Sequence, residues 1–157
     1  MRRNSLVIGL VAFSIICVAA LILSAYFWPV VVEGFVDHVV VVGIRNGVAK
    51  TIFMITPHGI IVKDENLGRL LAENQSYSFN EILKKLDQEY EKLYCTLSLR
   101  LTTPDPLNNL SPGETLAYIV DRDHCMNALN LGLGSKVRLV ITRSNPLKAV
   151  EISEVSN

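Results

Sequence analysis

The sequence predicts an α+β fold: an N-terminal single transmembrane helix, then a mostly antiparallel β domain of about seven strands with two inserted helices, whose C-terminal part could curl into a small barrel. Three observations predict it. Residues 5–28 (SLVIGLVAFSIICVAALILSAYFW) run for 24 positions without a charge. Residues 78–93 place apolar side chains at helical spacing behind a capping box. Most of the remaining chain is short β-branched or alternating stretches separated by turn signals.

The uncharged run comes first. As a helix it would reach about 36 Å, against a hydrocarbon core of about 30 Å. Arg2 and Arg3 precede it, Tyr26, Phe27 and Trp28 close it as an aromatic group, and Pro29 stops further helix. The chain thus divides into a stub at 1–4, an anchor at 5–29 and a domain at 30–157. With Arg2 and Arg3 on one flank and Glu33 and Asp37 on the other, the positive-inside rule predicts a cytoplasmic N-terminus. The protein would then be a single-pass, signal-anchored cell-membrane protein, touching the lipid bilayer through this helix and holding its main domain outside the cytoplasm. A cleaved signal peptide fits less well. The apolar core at 6–23 exceeds the roughly 7–15 residues usual for one, and Leu23-Ser24-Ala25 is a poor cleavage site.

Half of the 157 residues are apolar, a share raised by the anchor. With Arg2 and Arg3 set aside, thirteen basic residues face fifteen acidic ones, a net charge of −2. Such a domain has no electrostatic footprint for nucleic acid, which is excluded as a partner.

Beyond the anchor, 35–45 (FVDHVVVVGIR) is too short and valine-rich for a helix and reads as a strand. Asn46-Gly47 is a hairpin signal, because a type I′ turn needs positive φ at both central positions. Residues 48–56 (VAKTIFMIT) return. Folding about that turn pairs Arg45 with Val48, Ile44 with Ala49, Gly43 with Lys50 and Val42 with Thr51. It then pairs Val41 with Ile52 and Val40 with Phe53. Pro57-His58-Gly59 turns into a third strand at 60–63.

Two helices follow. Asp64 caps 65–73, with Leu67, Leu70 and Leu71 on one face. Ser78-Phe79-Asn80-Glu81 is the capping box of the second, whose stripe of Phe79, Ile82, Leu83, Leu86, Tyr90 and Leu93 faces the sheet. At 95–103 the period changes to two, and 104–113 (PDPLNNLSPG) is a loop. Strands are read at 114–120, 136–143 and 147–155, while Met126, Leu129 and Leu133 give only a helical turn within 121–135. From 95 to 155 the pattern is a short-stranded meander, for which an oligonucleotide-binding-like barrel is one candidate closure.

The densest set of reactive side chains is Asp121, Asp123, His124 and Cys125, of types that ligate transition metals. Adjacent His-Cys with no second paired motif matches no standard spacing, so no metal or other cofactor is assigned. No nucleophile motif is present, and no residue is assigned to catalysis. Cys95 and Cys125 could form a bridge or remain two buried thiols; the sequence leaves both open. Asn74 and Asn109 head N-x-S sequons.

The function read from this is an accessory or scaffold subunit, a binding and assembly module for a membrane or extracytoplasmic protein. The valine-rich hairpin offers edges to a partner strand, with Arg45 and Lys50 at its tip as the candidate contacts. The alternatives are an anchored metal-dependent or hydrolytic enzyme using 121–125, and a small-ligand sensor or chaperone with an apolar barrel interior.

Overall fold

Strand β1 (Val30–Arg45) is long enough to serve two structures at once. One edge of it pairs with β4 (Lys92–Leu101) from Gly34 to Ile44. The other edge pairs first with β6 (Lys136–Thr142), from Val30 to Phe35, and then with β2 (Val48–Thr56), from Val39 to Arg45. The structure, a computed structural model, describes residues 2–73 and 78–155, with side chains for 11, 13–24, 28–72 and 78–155. The remaining elements are α1 (Arg2–Phe27), β3 (Gly59–Val62), α2 (Glu65–Glu73), α3 (Phe79–Glu89), β5 (Thr115–Asp121), α4 (Arg122–Leu131) and β7 (Asn145–Glu154).

The sheet order is β3-β2-β1-β4-β5-β7-β6, and the β1–β6 pairing closes β1, β4, β5, β7 and β6 into a five-stranded barrel. The β5–β7 pair alone is parallel. Helix α4 supplies the crossover that a parallel neighbour requires. The barrel expected within 95–155 alone is therefore corrected. The four C-terminal strands do not close on themselves, and β1 is the strand that joins their two ends.

The expected fold class is corrected too. The described residues form a β-rich domain with a closed barrel and four helices. Among the described residues, no helix is long and apolar enough to cross a membrane. The transmembrane anchor, the single-pass signal-anchor topology and the assignment of the two ends to opposite sides of a cell membrane are overturned with it.

Two bulges explain where simple alternation fails. Asp37 is the extra residue between Val36, opposite Leu99, and His38, opposite Ser98. It shifts the inward phase of β1 by one: Val32 and Val36 are buried before it, Val39 and Val41 after it. The second bulge is at Ile52. The pairs nearest the hairpin tip are found as read, but Val41 faces Phe53 and Val40 faces Met54, one step off the expected register. The added residue lets Ile52 and Phe53 both turn inward, and both are buried.

The barrel interior is filled by side chains, with Val39, Val41, Leu97, Leu99, Tyr118, Leu139 and Ile141 at 0–1 % exposure. Backbones approach most closely at Gly34, where a Cβ would lie 2.7 Å from the carbonyl oxygen of Arg100. The rim of the closing seam is held by Glu33, which accepts from Arg138 at 2.8 Å and lies 3.1 Å from Lys136. The bonds from Arg138 and then Lys136 hold the Glu33 carboxyl below its ordinary value. Cys95 on β4 and Cys125 on α4 are joined by a disulfide that ties the crossover helix to the barrel. Cys17 is a free thiol on α1.

Candidate partner-binding site

The site is built at the hairpin that β1 projects beyond the barrel. Asn46 and Gly47 take φ of 52° and 72°, the left-handed pair that the tight turn demands. Glu91 fixes this tip to the barrel: its amide donates to the Ile44 carbonyl at 2.9 Å, and its carboxylate accepts from the Asn46 amide at 2.8 Å.

Past the turn at 57–58, β3 lies along β2 only from Phe53 to Thr56. The chain then closes on the bulge, where the amides of Lys63 and Asp64 both donate to the Ile52 carbonyl. Asp64 starts α2 by accepting from the Leu67 amide at 2.9 Å, and it accepts from the Tyr90 hydroxyl at 2.7 Å. Burial pushes its carboxyl up, but the Leu67 and Tyr90 bonds outweigh that and leave it below its ordinary value, helped by the field of Lys50. Tyr90 is pushed up to about 12, first by burial and then by the Asp64 carboxylate.

These contacts form a notch of about 340 Å³ lined by Arg45, Lys50, Thr51, Lys63, Asp64, Glu65, Asn66 and Tyr90. Arg45 and Lys50, the tip residues singled out from sequence, thus share one wall with Lys63. All three cations are exposed, and among the described residues none of their side chains makes a hydrogen bond or ion pair. Four other cations are paired: Lys136 and Arg138 with Glu33, Lys148 with Asp121, and Arg122 with Asp87. Lys63 was not legible as part of the site, although the Pro57-His58-Gly59 turn is the signal that brings it back beside Thr51.

The sheet is also open here. Among the described residues β3 is the one strand with a single neighbour, and Val48 to Thr51 of β2 has no strand beyond it. Ile60 and Ile61 are 55 % and 42 % exposed on that edge, and Val48 is 55 % exposed. Ile60 also borders an apolar hollow of about 420 Å³, walled by Phe53, Leu67, Leu71, Phe79 and Ile82.

The other candidates are dispersed. Asp121 is engaged by Lys148 at 2.7 Å, Cys125 is in the disulfide, and Asp123 is exposed while His124 is half-buried on α4. Among the described residues, no three His, Cys, Asp or Glu are grouped to hold a metal. Asn109 is exposed in the 104–113 loop with φ of 56°, whereas Asn74 lies outside the described residues.

One arrangement went unread. His38 lies between Asp37 and Ser98, with Nδ1 3.1 Å from the Asp37 carboxylate and Nε2 2.8 Å from Ser98 Oγ. The bulge places the two consecutive side chains side by side. The connectivity is that of a nucleophile–base–acid relay, but Ser98 is 2 % exposed. A substrate carbonyl has no path to its oxygen, and the bonds serve to fasten β1 to β4.

Comparison of the chain with protein-family models, with characterised proteins and with solved structures finds no match.

Proposed function

We propose that this chain is a binding and assembly module that takes an extended segment of a protein partner onto the open edge of its hairpin. The observation that carries this reading is the contrast between a closed barrel and one unpaired edge. Closure gives β4, β5, β6 and β7 a strand neighbour on each side, β5 and β7 meeting at 119–120 and 148–149, whereas β3 has a neighbour on one side and the start of β2 is left uncovered. Soluble proteins blunt such edges with charge, proline or cover, because an unpaired strand recruits another. Here β3 is Gly-Ile-Ile-Val, without a charge and with two exposed isoleucines. Main-chain pairing would supply affinity, and side-chain pockets on either side would supply selectivity. The filled barrel interior supports this reading over a ligand carrier that uses the barrel's centre.

The test is recovery of a stoichiometric complex by the tagged full chain and by its Ile60→Pro variant, which loses a main-chain donor on the open edge, since residues 61 and 63 turn their amides toward β2. Val150→Pro on β7, at an equally exposed position, is the comparison. The complex is expected to be lost in the first variant and kept in the second. Retention of the complex by a folded Ile60→Pro protein would remove the edge from the function.

A further inference from the structure

We infer that the segment bound at this edge is acidic, its carboxylates seated in the notch by Arg45, Lys50 and Lys63. The inference rests on the edge-binding reading and adds the chemistry of the partner. Charge complementarity carries it. The side chains of three cations line one notch and, among the described residues, make no hydrogen bond or ion pair. The acids in the notch neutralise it only in part. Asp64 and Glu65 offset two of the three cationic charges, and the notch keeps a net positive charge of one.

Position carries it as well. Lys50 and Thr51 lie on the part of β2 that β3 leaves uncovered, so a strand added there runs past the notch. Side chains on one face of an added strand recur every second residue. A segment with acids at alternate positions would therefore present successive carboxylates to the same side. Such charges set selectivity and association rate more than raw affinity.

The experiment uses the full chain and four fluorescent peptides, read by anisotropy at low and high salt. One alternates valine and glutamate; in the second and third, serine or lysine replaces glutamate. The fourth is the glutamate peptide with alternate amides methylated, which prevents pairing on one edge. The glutamate peptide is expected to bind, to weaken with salt, and to lose about fivefold for each of Arg45→Glu, Lys50→Glu and Lys63→Glu. Arg143→Glu, at the β6–β7 turn, is expected to leave binding unchanged. Equal binding of the serine peptide would overturn the acidic preference while leaving the edge intact. Equal binding of the methylated peptide, or displacement by inorganic phosphate at matched charge, would show an anion site without strand addition and overturn the edge reading. Absence of binding by every peptide would overturn both.

Discussion

The hydroxyl of Tyr90 donates to the carboxylate of Asp64 across 2.7 Å, and that bond ties the residue closing α3 to the residue opening α2. Tyr90 also packs its ring where a Cβ on Gly43 would stand 2.4 Å away, so one side chain braces hairpin and helices together.

Tyr90→Phe keeps the ring and removes the bond to a charged acceptor, at a cost of about 1.5 kcal/mol in denaturant unfolding. Because the Asp64 carboxyl is held low in the folded protein, its contribution is present above the unfolded pKa and is lost as pH falls through the folded one. The stability gap between the native chain and Asp64→Asn is therefore expected to shrink below about pH 4. A gap that stays constant across that range would refute this account of Asp64.

The disulfide closes a loop of sequence separation 30 between two fully buried residues. Loop-closure entropy gives it a stabilisation of about 3.5 kcal/mol. Cys95→Ala with Cys125→Ala is expected to lower the unfolding midpoint accordingly and to make it insensitive to reductant. A native chain whose midpoint ignores reductant under unfolding conditions would contradict it.

Asp105 is fully buried and accepts from the amides of Leu107 and Asn108, the side-chain amide of Asn108 at 2.7 Å and the hydroxyl of Tyr118 at 2.6 Å. Four donors without a cation keep this carboxylate satisfied, and they shape the 104–113 loop around it. Tyr118→Phe should cost about 2 kcal/mol and speed hydrogen exchange at the loop amides. Unchanged exchange there would show that the loop does not depend on the bond.

Gly34→Ala places a methyl carbon 2.7 Å from the backbone oxygen of Arg100, an atom that cannot rotate away. The expected loss is about 3 kcal/mol, against little effect at Gly68, where the nearest atom would be 4.0 Å off on a Val62 side chain. Equal stability of the two variants would mean that β1 and β4 separate easily at the barrel seam.

The legible parts of the fold were those encoded by neighbours in sequence. Asn46-Gly47 announced the hairpin because only positive φ closes so short a turn, and Ser78 with Glu81 announced α3 through a reciprocal pair of bonds. Alternation placed Cys95, Leu97, Leu99 and Leu101 inside. The bulges at Asp37 and Ile52 were not legible, since an extra residue in one strand is defined only by its partner. Helix α4 was read as a single turn because Gly132 and Gly134 obscured its end and its buried Cys125 and Ala128 gave a weak stripe. Of the site, Arg45 and Lys50 came from the turn they flank. Lys63 and the Asp64–Tyr90 bond depend on where β3 and α3 return, which no local pattern states.

That β1 belongs to both barrel and hairpin has a mechanical consequence. Tension applied along an added strand passes from β3 through β2 to a strand that continues without a break into the barrel wall. Rungs of the β1–β2 and β1–β4 ladders would share that load in shear, all at once, instead of unzipping singly from an end. The hairpin is in this sense a lever rooted in the barrel, with the Glu33 seam at the far end of the same strand.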